Sequence, residues 1–446
     1  MLRTTAPQGM TYRCPMSDKH FPVRIKYTDK STDYSTEFQT SGEHARAWKS
    51  VLQKAHSRAI VECLCGGPGD CRLAIRYLSA SDKYHLSKYP HTGPEHALTC
   101  LFYSPDHSKS GLGAYSAGVV EETLAGDLKI RLKVGLRKRD AKEVDEEEEE
   151  EQPEEEVSAT PAPSAGKSKT AMTLLGLLHL LWSESHLNTW TPAMTGKRNL
   201  GLVHHLLNAT AGKVLTSRMR LDEALVVATS TAKGKHADAN AAKVAKAIRN
   251  KRRLVVVAPL AAHTPEREAC ESKYLSITGF YGIPRLMVDE ELWTIVKRRF
   301  PREISAWRQG RKVIAIAQTD KPSSKKEADT LDIALMVVSA EWVPVESSYE
   351  ATIEAKLREE SRRFLKPLRF DSAEEVVFPD FWLTDVGNTR EFPMEVYGRA
   401  DTKYLERKQI KSEHYTVEYG SSGWWWWDAV TDPQGQNIPP FPPATR

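Results

Sequence analysis

The stretch from Lys142 to Lys169 constrains this chain more than any other, because it cannot join a packed core. It reads KEVDEEEEEEQPEEEVSATPAPSAGKSK, with ten acids in the twelve positions Asp145–Glu156 and then a proline, alanine and serine tract. Such a composition buries too little apolar surface to offset the entropy of ordering it. The stretch reads as a flexible linker, so the chain folds as separate parts, and 446 residues suffice for about three domains of ordinary size. The run also masks a charge asymmetry. Setting those ten acids aside turns the formal net charge of +4 into +14. A basic body of that kind suits nucleic acid, although solvated lysine faces also occur in proteins that bind none. Gly166-Lys167-Ser168 at the end of the linker imitates a phosphate-binding loop. Pro161 stands where the earlier glycine belongs and no strand precedes it, so the match is accidental.

No apolar run approaches the roughly 20 residues needed to cross a bilayer, and the N-terminus lacks the apolar centre of a secretory signal. The expected location is the cytoplasm, with no membrane partner. Six cysteines in 446 residues make no disulfide framework, but Cys63, Cys65, Cys71 and Cys100 fall within 38 residues. In a reducing compartment such clustering reads as metal binding.

Up to about Arg139 the chain alternates short β-like runs, FPVRIKY and LKIRLKV, with one helical stretch over Glu43–His56. After the linker the apolar period changes to that of helices. Leu174, Leu177, Leu178 and Leu181 form one stripe, and Leu202, Val203, Leu206 and Leu207 a second. The intervening NTWTPAMTGKRN allows a helix-turn-helix with Lys197 and Arg198 exposed, or a plain helical pair packed on a neighbour. From Leu254 strands such as LVVVAPL, PRLMV, VIAIAQT and IALMVV alternate with helix, including one over Glu290–Arg308, an α/β arrangement.

The cysteine cluster has spacing suited to a metal. Cys63 and Cys65 are two apart, which on an extended segment puts both thiolates on one side. His96 and Cys100 are four apart, which on one helical turn puts both on one face. Three thiolates and an imidazole make a closed tetrahedral zinc set with a structural role. Cys71 is a spare candidate, and His85 and His91 are weaker ones.

CLCGGPG, KYPHTGPEHALTC, MTLLGLLHLLWSESHLNTWTPAMTGKR and FLKPLRFD together resemble an uncharacterised bacterial family, domain of unknown function 1173. The resemblance runs from Cys63 to about Asp385, and the leucine-rich block is its most specific part. Its metal-like positions match Cys63, Cys65, His96 and Cys100, whereas Cys71 is not shared. The resemblance implies a plasmid or integrative conjugative element context, with other mobile-element proteins as partners, and carries no biochemical activity.

The last hundred residues read as helix, strands, helix, strand, an order similar to the αβββαβ core of PD-(D/E)xK nucleases. Pro379-Asp380 resembles the first half of that family's motif and Glu395-Val396-Tyr397 the second. Acids on two adjacent strands hold a divalent cation, Mg²⁺ or Mn²⁺, that stabilises charge on a phosphodiester and activates a water. The family's lysine, two residues past the second acid, is Tyr397 here. Tyr404, Lys408, Lys411 and Tyr415 share one face of the next helix, and Lys408 is the expected substitute, with Lys411 its neighbour. Glu354 and Glu359 offer a further acid.

The expected architecture is thus a mixed α+β and α/β multidomain chain. It comprises a zinc-stabilised module over 1–141, the linker over 142–169, a helical domain over 170–252, an α/β domain over 253–346 and a nuclease-like domain over 347–446. The expected function is DNA handling, as a Mg-dependent deoxyribonuclease with Asp380, Glu395 and Lys408 at its centre. The alternative is a non-catalytic nucleic-acid-binding or scaffold protein of a conjugation or plasmid system.

Overall fold

The computed structural model describes residues 20–78, 83–89, 92–97, 100–103, 111–116, 118–123, 127–136, 170–217, 219–372, 377–387 and 392–445. The linker expected over 142–169 lies outside them. The fold is mixed α and β, and its contacts divide the chain into two compact units, residues 1–104 with 191–197, and residues 105–190 with 198–446. No helix among the described residues is long and apolar enough to cross a membrane.

The first unit is built on an antiparallel sheet of β1 (Val23–Lys26), β2 (Ser31–Tyr34), β3 (Ile60–Cys63), β4 (Arg72–Leu78) and β5 (Lys83–Lys88), in the order β2-β1-β3-β4-β5. Alternation in VRIK buries Val23 and Ile25 and turns Arg24 and Lys26 outward, where they pair with Asp33 and Glu62. Helices α1 (Thr36–Thr40) and α2 (Ala45–Ala55) connect β2 to β3, and α2 buries Leu52 and Ala55.

Among the described residues, the second unit holds three sheets. A small one comprises β6 (Val120–Glu122), β7 (Leu128–Ile130), β9 (Val214–Thr216) and β10 (Met219–Arg220). β7 and β9 pair in parallel, so a strand expected in the N-terminal module belongs instead with the segment after the linker. The central sheet runs β11 (Leu225–Val227), β12 (Val255–Pro259), β14 (Lys312–Thr319), β15 (Glu327–Val338), β13 (Arg285–Met287). Its β11–β12 pair crosses the boundary expected at 252/253, because α5 (Lys235–Arg249) returns the chain parallel to β11 as a βαβ crossover. Helices α3 (Leu174–Glu184), α4 (Leu200–Ala211), α7 (Glu290–Arg299) and α8 (Pro301–Arg308) pack on this sheet, while α6 (Pro265–Ala269) is a single short turn. The single helix expected over Glu290–Arg308 is broken at Phe300, since the following proline cannot accept a place inside a helix.

The C-terminal sheet has the order β19-β18-β17-β16-β8. Its strands are β8 (Thr189–Trp190), β16 (Phe364–Leu365), β17 (Phe381–Leu383), β18 (Phe392–Tyr397) and β19 (Trp425–Asp428). Helix α9 (Ser348–Glu359) precedes β16, and α10 (Thr402–Tyr419) joins β18 to β19, which run parallel. The chain order α9-β16-β17-β18-α10-β19 is helix, three strands, helix, strand.

Two sequence blocks lock together here. Thr173 caps α3, and the Asp371 carboxylate accepts from the Thr173 hydroxyl (2.5 Å), the Thr173 N–H (3.0 Å) and the Tyr115 hydroxyl (2.6 Å). That places a negative charge at the positive end of a helix that is buried nearly all round. The Phe370 N–H donates to His179 Nδ1, and Asn188 exchanges hydrogen bonds with the Lys366 main chain. The leucine-rich block and FLKPLRFD therefore form one structural device. Arg198, expected to be exposed, donates instead to the carbonyls of His186, Leu187, Thr189 and Glu341. Lys197 beside it is exposed, as expected.

Candidate metal centre and candidate active site

Cys63 ends β3, and its N–H donates to the carbonyl of Cys71, closing the loop between them. Gly66 turns that loop at φ +68°, a region costly for other residues. Gly67 then lies so close to the 95–96 backbone that a Cβ would meet the Glu95 carbonyl at 2.0 Å. The loop and the His96 segment are thus pressed together. Cys63 Sγ lies 3.6 Å from Cys100 Sγ, and His96 Nδ1 lies 3.6 Å from both Cys65 Sγ and Cys100 Sγ. Tetrahedral ligands at metal–sulfur distances near 2.3 Å stand about 3.8 Å apart, and bridged sulfurs about 2.05 Å. The four buried side chains therefore have the spacing of one ion's ligand set rather than of a disulfide, and could hold a metal ion such as zinc.

The surroundings agree with that chemistry. The Ala97 N–H donates to Cys65 Sγ at 3.3 Å and the Phe102 N–H to Cys100 Sγ at 3.5 Å, stabilising thiolate sulfur. The hydrogen bond with Cys63 lowers the pKa of the Cys100 thiol, while the same contact, with burial, pushes that of Cys63 up. Convergence arises differently from the helical turn expected for His96 and Cys100. His96 follows a 3₁₀ turn over Gly93–Glu95 in extended conformation, and Cys100 closes a turn on Ala97. Cys71 stands beside the set, 3.7 Å from Cys65 Sγ, and donates to the Glu95 carbonyl. His85 lies on β5 opposite Arg76, and His91 lies outside the described residues.

In the C-terminal sheet the register decides the arrangement. Phe381 pairs with Met394, and the Asp380 N–H donates to the Met394 carbonyl, so Asp380 stands across from Glu395. Opposed residues of an antiparallel pair share a face with Cβ atoms about 5 Å apart. The Asp380 carboxylate accepts from the Val396 N–H at 2.8 Å. Glu395 accepts from Lys411 at 2.8 and 3.0 Å and from the Tyr415 hydroxyl at 2.8 Å. Burial first, and Asp380 second, raise the Glu395 carboxyl to about 7, against the opposing pull of Lys411.

The tyrosine and lysine face of α10 does cover the strands, but the expected Lys408 reaches elsewhere. Its ammonium pairs with Asp428 at 2.5 Å, above the Tyr397 ring. Lys411, three residues further on, reaches Glu395. Of the acids expected on α9, Glu354 is bound to Ser339 and Arg358, and Glu359 is exposed. Glu350 faces the site instead. Burial raises its carboxyl to about 7, aided by Asp380 and Glu346 and opposed by Lys366. Its sequence signal was the Ser347-x-x-Glu350 capping pattern, which reads as helix initiation.

Asp380, Glu395 and Glu350 line a cleft of ≈ 590 Å³ with Glu346. Arg302, Arg311, Arg369, Arg399, Arg407 and Lys411 line the same cleft. Two carboxylates thus stand opposed at neighbouring strands, one of them touching Lys411, in a cleft walled by guanidinium groups. Of the tryptophan run, Trp425 and Trp427 point inward, while Trp426 lies half exposed beside Lys408.

The chain belongs to the family described as protein of unknown function (DUF1173), whose model matches residues 34–429. No curated protein matches it. No solved structure matches it either.

Proposed function

We propose that this DUF1173 chain is a DNA-handling protein of mobile elements, and that its C-terminal cleft is the centre of a metal-dependent nuclease. The observation that carries the reading is Asp380 set across from Glu395, with the Lys411 ammonium 2.8 Å from Glu395. The order α9-β16-β17-β18-α10-β19 supports it, because it is that of the PD-(D/E)xK core. Lys411 supplies from α10 the charge that Tyr397 cannot supply from β18.

Asp380 and Glu395 would hold a divalent cation, Mg²⁺ or Mn²⁺, which when bound offsets charge on a phosphodiester and lowers the pKa of a water. Lys411 orients that water and the scissile phosphate. Arg399 and Arg407, at the cleft wall, bind flanking phosphates. In the first unit, zinc held by Cys63, Cys65, His96 and Cys100 is structural, since four protein ligands leave no open position.

A second reading is a non-catalytic DNA-binding or scaffold protein. It draws support from Glu395, whose carboxylate already pairs with Lys411 and Tyr415. Incubating wild type and Glu395→Ala with supercoiled and linear DNA, in Mg²⁺ and in Mn²⁺, separates the two. The nuclease reading expects wild-type nicking or cutting, abolished in the variant with binding retained. Binding without cutting in either metal selects the scaffold, and neither binding nor cutting defeats both.

A further inference from the structure

Buried against three of the acids that line the cleft is a lysine that the proposed chemistry does not use. Lys366 is 1% exposed, and its main chain is clamped by Asn188, which accepts from its N–H at 2.8 Å and donates to its carbonyl at 2.9 Å. Its ammonium lies 3.0 Å from Glu350, 3.6 Å from Glu346 and 4.0 Å from Asp380, beside the Phe381 ring. Burial alone would lower its pKa, but the three carboxylates outweigh burial and hold it above the ordinary lysine value.

Carboxylates from α9, from the segment before it and from the start of β17 thus converge on one fixed positive charge. That is how a bridging divalent ion gathers its ligands. Charge supports the comparison. The Lys366 ammonium already offsets part of the negative charge that Glu346, Glu350 and Asp380 bring together. One divalent ion would sit at the Asp380 and Glu395 side. A second, between Glu350 and Asp380, would lie against the Lys366 ammonium in a buried place where like charges repel strongly.

We propose that Lys366 is a resident cation occupying the position between Glu350 and Asp380, so that the cleft takes one divalent ion, at the Asp380 and Glu395 side. Lys366 is then a positioning residue, holding the Glu350 and Asp380 carboxylates in place. This rests on the nuclease reading of the cleft.

The test is a Mn²⁺ titration of the full-length, zinc-loaded chain, with free Mn²⁺ read by EPR and DNA cutting followed alongside. Wild type should bind one equivalent, D380N none, K366R one and K366M two. Two equivalents in wild type, or one in a folded K366M, overturns the inference. If K366M does not fold, wild type and K366R still decide, since two ions in either overturns it. Wild type that cuts DNA with two ions sinks this inference alone, whereas wild type that binds no ion and never cuts sinks the nuclease reading with it.

Discussion

Arg362 and Asp385 form a fully buried ion pair, and removing one partner should be among the most damaging single changes in the C-terminal sheet. Arg362 Nε and Nη2 donate to the two oxygens of Asp385 at 3.1 and 2.8 Å, and the Arg363 N–H adds a third bond at 2.7 Å. Both side chains are 6% exposed. Asp385→Ala strands a guanidinium and a backbone N–H away from water, and breaking such a buried pair costs about 4 kcal/mol. Arg362→Leu combined with Asp385→Leu removes the charge altogether. Only the Arg363 N–H stays unsatisfied, so the double variant should lose about 1–2 kcal/mol. The assay is urea unfolding followed by tryptophan fluorescence. With a slope of roughly 3 kcal/mol per M, Asp385→Ala should move the midpoint down by about 1.3 M and the double variant by about 0.5 M. A double variant as unstable as the sum of the two single ones would refute the argument, because it would show that the pair's loss and not the stranded charge sets the cost.

The purified chain should carry about one equivalent of zinc, measured by metal analysis, which Cys63→Ser and Cys100→Ser lose and Cys71→Ser keeps. Lys411→Met should lower DNA cutting by about 10²–10³-fold, as loss of a fixed charge stabiliser does, while Lys408→Met, whose partner is Asp428, changes it by less than about tenfold. Similar losses in both would remove the assignment to Lys411. Burial depresses His179 to about 4, and His204 likewise to about 4. The unfolded chain therefore takes up these protons first, so the contribution of these two histidines to stability is full above pH 6.5 and falls as pH drops from there towards 4. His179→Gln keeps an acceptor for the Phe370 N–H and should remove about 3 kcal/mol of that fall, read as the difference between the two proteins' stability-versus-pH curves.

What could be read along the chain was whatever neighbouring residues decide between themselves. Cys63 with Cys65 and His96 with Cys100 are close pairs whose spacing limits where each side chain can go, and the structure brings all four within 4.8 Å of one another. The period of apolar residues gave α3 and α4, and the apolar runs after Leu254 gave β12, β13, β14 and β15 but not β11 of the central sheet. The fifteen residues from Asp380 to Glu395 suit a strand, a turn and a strand, and so hinted at the register that opposes them. The rest depended on how distant elements meet. Lys408 and Lys411 differ by less than one helical turn, and only the docking of α10 on β18 sends one to Asp428 and the other to Glu395. Glu350 reads as a capping residue and Lys366 as one more lysine in a basic chain. Their place beside Asp380 comes from α9 and β16 being folded against β17 across some thirty positions. The parallel pairing of β7 with β9 and of β11 with β12 was equally hidden, because hydrogen bonds between strands carry no side-chain signature. Sequence fixes which residues can share a face, and tertiary packing alone decides which face meets which.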